Sequence, residues 1–191
     1  MRAIACVDMN GGIGYKNNLL YRLSDDLRVF KAITINNGCV IMGNNTFKSI
    51  GSKPLQDRAN IVICKDKTLV FDTDGNLKIW HFSNIALVSQ LFPQAIVIGG
   101  EQIYKLFEPY IDYIYLTEVL DDVKQADTYF PLMDKVNNMA QLIVSQFVAT
   151  DKRPAYNISI YIDKIKWKEQ IDIMVASGEY IYNIGVEYDN E

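Results

Sequence analysis

The stretch Ser24-Asp25-Asp26-Leu27-Arg28-Val29-Phe30-Lys31 sets two neighbouring carboxylates at the start of a helical pattern. Ser24 is a preferred N-cap, since its hydroxyl can accept a free first-turn N–H. Both acids fall where the helix dipole favours negative charge. The helical period then separates them. Asp26, Phe30 and Ile33 are spaced i, i+4, i+7, with Leu27 and Thr34 beside them, so they share one face. Asp25 aligns with Arg28 and Val29 instead. An apolar stripe faces the core, so Asp26 is directed inward or into a cleft. A buried carboxylate must be paired, protonated or waiting for a ligand. An ordinary first-turn acid at the rim of the core has the same local signature, and this stretch by itself leaves both readings open.

Three further stretches offer binding chemistry. In Ile96-Val97-Ile98-Gly99-Gly100-Glu101-Gln102-Ile103-Tyr104 an apolar run meets two glycines and then a helical pattern. Glycine allows unusual backbone angles and close approach of a ligand, and a helix start offers N–H groups suited to phosphate. At the carboxyl end of a strand in an open α/β sheet, that is a natural nucleotide site. Met42-Gly43-Asn44-Asn45-Thr46-Phe47 repeats the grammar and adds the Thr46 hydroxyl. In Pro54-Leu55-Gln56-Asp57-Arg58-Ala59-Asn60, Arg58 precedes an apolar strand. There a guanidinium could grip a carboxylate with two hydrogen bonds. Each feature has a plain alternative: a chain reversal, an ordinary helix cap, a solvated arginine. The Rossmann fingerprint GxGxxG is absent, so no Rossmann domain is inferred.

The elements that would position these residues alternate. Strands are expected at Arg2–Asp8, Val40–Gly43, Asn60–Cys64, Leu77–His81, Ala95–Ile98 and Asp112–Glu118. Helices are expected over SDDLRVFKAIT, NNTFKSI, Asn84–Phe92 and Glu101–Phe107, and NGGIGYKNNLLYRL reads as a glycine-rich loop. Fully apolar strands between helices point to a sheet covered on both faces and largely parallel. After Phe130-Pro131, Gln141–Ala149 and Tyr156–Ile162 read as an antiparallel pair, and Gly178–Tyr188 alternates like a further strand. The expected architecture is one compact α/β domain.

Bulk properties narrow the class. The chain has 191 residues, 49% hydrophobic and 22% charged, a balance ordinary for a soluble globular domain. A net charge of −4 without a basic block gives no nucleic-acid footprint. Cys6, Cys39 and Cys64 lie beside Val, Ile or Ala and read as buried thiols. With His81 the single histidine and no close cysteine pair, no metal site is expected. No apolar run resembles a signal peptide or reaches membrane-spanning length, so the expectation is a soluble, cytoplasmic protein without membrane or nucleic-acid partners.

The ordered combination is more specific than its parts. GGIGYKNNLLYRLSDDLRVFK, VIMGNNTFKSIG, PLQDRANIVI, IVIGGEQIY, IYLTEV and ADTYFP follow one another at consistent intervals. In this the chain resembles the dihydrofolate reductase family of the chromosomal and viral type, from about residue 1 to residue 131, with Ile158–Ile162 similar to a late core strand. The resemblance implies a single-domain, mostly parallel sheet with flanking helices and an antiparallel C-terminal hairpin. It implies a domain over residues 1–165 and a C-terminal extension over 166–191, packed on or near it. The activity implied is reduction of 7,8-dihydrofolate to 5,6,7,8-tetrahydrofolate by hydride transfer from NADPH.

Residue by residue, Asp26 matches the family's active-site acid, with Thr117 hydrogen-bonded to it or to its water and Tyr21 beside it. Ile4, Ala5 and Cys6 line the floor for pterin and nicotinamide, and Ile98 offers a backbone carbonyl to the pterin. Leu27, Phe30, Lys31, Ile50 and Leu55 border the folate, and Arg58 takes its glutamate α-carboxylate. Ile13, Gly14 and Leu19 belong to a loop over the nicotinamide. Gly43, Asn44, Asn45, Thr46, Cys64, Lys65 and the run Gly99, Gly100, Glu101, Gln102, Ile103, Tyr104 surround the rest of the cofactor. The chain departs from the pattern in places. Leu20-Tyr21 replaces Pro-Trp and Gln56-Asp57 replaces Pro-Gly. Asn44 stands where a basic residue often meets the cofactor 2′-phosphate, a charge Lys65 could restore. A riboflavin-pathway reductase of the same fold is the nearest alternative, which Asp26, Phe30 and Arg58 disfavour. A non-catalytic binding protein is the other. The expected state is a monomer, with the tail as the segment that could mediate association.

Overall fold

The computed structural model describes residues 1–65, 77–81, 84–121 and 125–177. In chain order the elements are β1 (Arg2–Val7), β2 (Gly12–Tyr15), β3 (Asn18–Leu19), α1 (Ser24–Asn36), β4 (Cys39–Gly43), α2 (Asn44–Ser49), β5 (Ala59–Cys64) and β6 (Leu77–His81). There follow α3 (Ile85–Leu91), β7 (Ile96–Gly99), α4 (Glu101–Phe107), a 3-10 turn at Glu108–Tyr110, β8 (Tyr113–Val119), β9 (Thr128–Tyr129), α5 (Met133–Asn137), β10 (Ala140–Phe147), β11 (Tyr156–Ile162) and α6 (Lys164–Ser177).

The main sheet has eight strands in the order β10-β11-β8-β1-β7-β4-β5-β6. From β8 to β6 every neighbouring pair is parallel, and β11 pairs antiparallel with both β8 and β10. Both faces of the central strands are covered. In β4, Ile41 joins a cluster with Ile61, Val97, Phe107 and Leu116. Its neighbours Val40 and Met42 pack on the other face with Phe47 and Val62. This is why these strands are apolar at every position rather than at alternate ones. Because β7 lies between β1 and β4, the chain leaves those strands toward different partners, and the crevice opens beyond their carboxyl ends.

Several local expectations change. The glycine-rich loop contains the hairpin β2–β3. Lys16 and Asn17, at φ 48 and 64, form its two-residue turn, and β2 also pairs with β9. Ser24 is not the cap of α1. Leu23 holds that position in extended conformation, with no side-chain cap bond, and Ser24 is exposed as the first helical residue. Burying Leu23 with Leu20, Tyr21 and Tyr156 fixes the chain's entry into the helix one residue earlier than the hydroxyl would have set it. The elements β9, α5 and α6 were not expected. Asp57 takes φ 63, so an aspartate adopts the left-handed turn angle where the family pattern has glycine. The strand expected at Gly178–Tyr188 lies outside the described residues.

Candidate active site

The two acids of α1 part company as the helical period requires. Asp26 is half-buried, and Oδ1 accepts a 2.6 Å hydrogen bond from Thr117 Oγ1 on β8. No cation among the described residues lies within ion-pair distance of it. Burial pushes its carboxyl above the ordinary carboxylate range, and the Thr117 hydrogen bond opposes that shift in part. Cys6 on β1 is the register partner of Thr117. Asp25, on the adjoining face, is bonded to Arg28, Arg153 and Tyr156.

Leu27, Phe30 and Lys31 follow Asp26 on α1, and Ile50 and Leu55 follow α2. Leu27 and Ile50 are exposed, at 40% and 38%, Phe30 and Leu55 are half-buried, and Lys31 is exposed. Arg58 is more deeply set. Only 7% exposed, it donates from Nε to the Gln56 carbonyl at 2.8 Å and from Nη1 to Thr34 Oγ1. No carboxylate among the described residues pairs with it, and burial lowers its affinity for its proton. Spacing alone sets Thr34 on the inward face of α1 without giving it a role. A buried threonine two turns beyond Asp26 was the available signal. Its hydroxyl in turn donates to the Phe30 carbonyl at 2.6 Å, so the helix itself sets the guanidinium's direction.

The two glycine turns converge. A Cβ on Gly43 would stand 2.8 Å from Ile103 Cγ1 and 3.9 Å from the Gly100 nitrogen, and one on Gly100 would stand 3.4 Å from Thr46 Oγ1. The starts of α2 and α4 therefore face one another at the carboxyl ends of β4 and β7. Gly99 has φ 107, with the Tyr104 ring 3.0 Å from where a Cβ would sit, so this position requires glycine. The amides of Ile103 and Tyr104 bond the Gly100 carbonyl at 2.8 and 3.1 Å. The first-turn amides free of an intrahelical acceptor are those of Glu101 and Gln102. The Ile103 and Tyr104 side chains turn inward, both buried. Tyr104 Oη donates to the Ile4 carbonyl at 2.7 Å, and burial raises its hydroxyl far above the usual range.

The remaining expected residues surround these. Ile4 and Ala5 are buried in β1 and Cys6 is half-buried. Ile98 is half-buried in β7. Ile13 and Gly14 lie on β2 and Leu19 on β3, with Leu19 57% exposed. Asn44 and Thr46 are half-buried and Asn45 is exposed. Cys64 is buried at the end of β5 and Lys65 is exposed just beyond it. Since Gly43 opposes Ile63, Asn44 and Lys65 leave the same end of neighbouring strands. Tyr21 is buried with Leu20, Leu23, Val119 and Ile158.

A half-buried carboxylate and two facing helix starts suited to phosphate lie at one end of an open, mostly parallel sheet, the arrangement of a nucleotide-binding α/β protein. The sequence model of dihydrofolate reductase matches residues 1–165. The chain belongs to the dihydrofolate reductase family. It is 38% identical over 128 residues to a dihydrofolate reductase of Buchnera aphidicola from Acyrthosiphon pisum, covering 67% of this chain and 76% of that one. It is 32% identical over 154 residues to that of Bacillus subtilis, covering 81% and 88%. The solved dihydrofolate reductase of Enterococcus faecalis complexed with NADP(H) superposes with a TM-score of 0.69 at 28% identity, covering 85% of this chain and 95% of that one.

Proposed function

We propose that this chain reduces 7,8-dihydrofolate to 5,6,7,8-tetrahydrofolate with NADPH, the reaction that feeds one-carbon metabolism and thymidylate synthesis. The observation that carries the reading is Asp26: a half-buried carboxylate, held by Thr117 and unpaired with any cation among the described residues, on the helix that also carries Leu27 and Phe30. A pterin presents an N–H and an amino group side by side, and a carboxylate accepts both in a fork. Asp26 orients the ring in that way. Its raised proton affinity brings it closer to the working pH, where a group best favours protonation of the substrate, here through a water. Arg58 takes the glutamate α-carboxylate, with Leu27, Phe30, Lys31, Ile50 and Leu55 along the folate between them. Tyr21, buried with Val119 and Ile158, would stack and hold a water in the catalytic set.

The cradle between Gly43 and Gly100, which a Cβ at Gly43 would crowd, fits a dinucleotide diphosphate. Gly43–Thr46, Cys64, Lys65 and Gly99–Tyr104 hold it, and Cys6, Ile13, Gly14 and Leu19 enclose the nicotinamide. NADPH, when bound, supplies the hydride. The protein supplies position and field. Residues 1–165 form the catalytic unit and 166–191 an appended segment. Helix α6 crosses that boundary: Asp163 Oδ1 accepts from the Ile165 and Lys166 amides at its start, and Gln170 bonds Tyr113 of the sheet. No helix among the described residues is long and apolar enough to cross a membrane, and we place the protein in the cytoplasm as a monomer.

The test is oxidation of NADPH by dihydrofolate in wild type and Asp26→Asn. Asparagine keeps the shape and loses the anion, and turnover is expected to fall roughly a hundredfold or more. A wild type that binds both ligands without turnover would overturn the assignment in favour of a binding protein.

A further inference from the structure

The residue beside Asp26 is held by a network that the reaction does not use. Asp25 Oδ2 accepts hydrogen bonds from Tyr156 Oη at 2.8 Å and Arg153 Nη1 at 3.1 Å, and Oδ1 accepts from Arg28 Nη2. Arg153 Nη1 also donates to Tyr156 Oη at 2.5 Å. Its guanidinium lies 5.4 Å from the Phe147 ring centroid and 5.1 Å from that of Tyr156. The two rings stack with centroids 4.5 Å apart. Tyr156 is fully buried.

The sheet register explains why adjacent helix residues meet adjacent strands. Thr117 of β8 opposes Ile158 of β11, and Val119 opposes Tyr156. Thr117, Ile158 and Tyr156 therefore stand on one face of the sheet, the face that α1 covers. Thr117 holds Asp26 and Tyr156 holds Asp25. This matters because α1 begins without a side-chain cap, at Leu23. An uncapped first turn is where a helix frays, and Asp25 and Asp26 are both in it. Arg28 and Arg153 also match the charge of Asp25, so it adds no second unpaired anion beside Asp26.

We propose that Asp25, Tyr156 and Arg153 are positioning residues for Asp26, bolting the first turn of α1 to β11 so that the neighbouring carboxylate keeps one place over Thr117. The proposal rests on Asp26 being the acid that receives the pterin. The groups around Asp26 are Thr117 on β8, Cys6 opposite Thr117 on β1 and Tyr104 on α4, while Asp25 and Arg28 lie on the adjoining face of its own helix. Only the Asp25 side is altered in the test.

Two variants of the full chain serve. Tyr156→Phe keeps the ring stacked on Phe147 and removes the hydroxyl. Asp25→Asn keeps an acceptor and removes the charge. For both, kcat/KM for dihydrofolate is expected to fall on the order of tenfold, with NADPH affinity unchanged. The pH profile of kcat/KM should move to lower pH. A loosened turn admits water to Asp26 and relieves the burial that raises its carboxyl. An unshifted profile in Tyr156→Phe, whether or not the rate fell, would overturn the proposal, because a purely structural contact lowers activity without retuning Asp26. Asp26→Asn is measured alongside. If it turns over like wild type, the reading of the site itself fails. If it is crippled while Tyr156→Phe and Asp25→Asn behave as wild type, the positioning role alone fails.

Discussion

Arg58 is a buried cation aimed by neutral partners, the feature on which its proposed ligand role rests. An arginine only 7% exposed is costly to hold without a carboxylate, yet its bonds among the described residues go to a carbonyl and to Thr34. The neutral partners aim it without neutralising it. A carboxylate arriving there gains charge-assisted bonds in a partly desolvated setting. Arg58→Lys keeps the charge but loses the planar fork. Its dissociation constant for dihydrofolate, measured by titration, should rise roughly ten- to a hundredfold, the range of one to two charge-assisted bonds. Affinity for a pteridine lacking the glutamate should stay unchanged. Equal weakening of both ligands would mean that Arg58 supports the fold and not the glutamate.

At the scale of elements, the proposed cofactor cradle depends on how closely α2 and α4 approach. Ile103, on α4, packs where a Gly43 side chain would be, 2.8 Å from an added Cβ. Gly43→Ala should therefore push the two helix starts apart and weaken NADPH binding about tenfold, since loss of even one phosphate hydrogen bond is worth that much. Ile103→Ala removes the obstructing atoms, so the double variant should recover most of the affinity in a fluorescence titration. No recovery would place the fault at Gly43 itself. These glycine-led helix starts were legible because strand, glycine and helix follow within a few residues. The central strands were legible for a similar reason: each is a continuous apolar run such as Ile61-Val62-Ile63. The strands β2, β3 and β9 were not, because two to four partly exposed residues carry no period. Helix α6 exposes Ile165 and Ile173, at 71% and 67%, and so lacks the stripe that marks a helix laid on a core. The Asp25 clamp joins residues 128 and 131 positions apart, a register that local pattern does not encode.

For the whole molecule, Asp25 and Asp26 make opposite demands on folding. The hydrogen bond from Tyr156, then that from Arg28, holds the Asp25 carboxyl below its ordinary value. A depressed acid contributes stability above its unfolded-state value and loses it as pH falls through the folded-state value. Asp26 has the reverse sign. Burial raises its carboxyl, so the folded state binds a proton more tightly than the unfolded chain does. Its ionised form therefore costs stability at neutral pH, and the cost is relieved as pH falls through its raised value. On the proposed reading, site and fold compete at this residue: the half-buried anion offered to a pterin is one the folded protein would be more stable without. In urea unfolding at neutral pH, Asp26→Asn should raise the midpoint by a few tenths of a molar or more, the scale of one modest substitution. Asp25→Asn should lower it. On acidification the Asp26→Asn advantage should vanish first, once wild-type Asp26 is protonated. The Asp25→Asn deficit should persist to lower pH, until wild-type Asp25 also takes up its proton. A destabilised Asp26→Asn at neutral pH would mean that the charge on Asp26 is already compensated within the fold. The carboxylate would then not be held in reserve for a ligand.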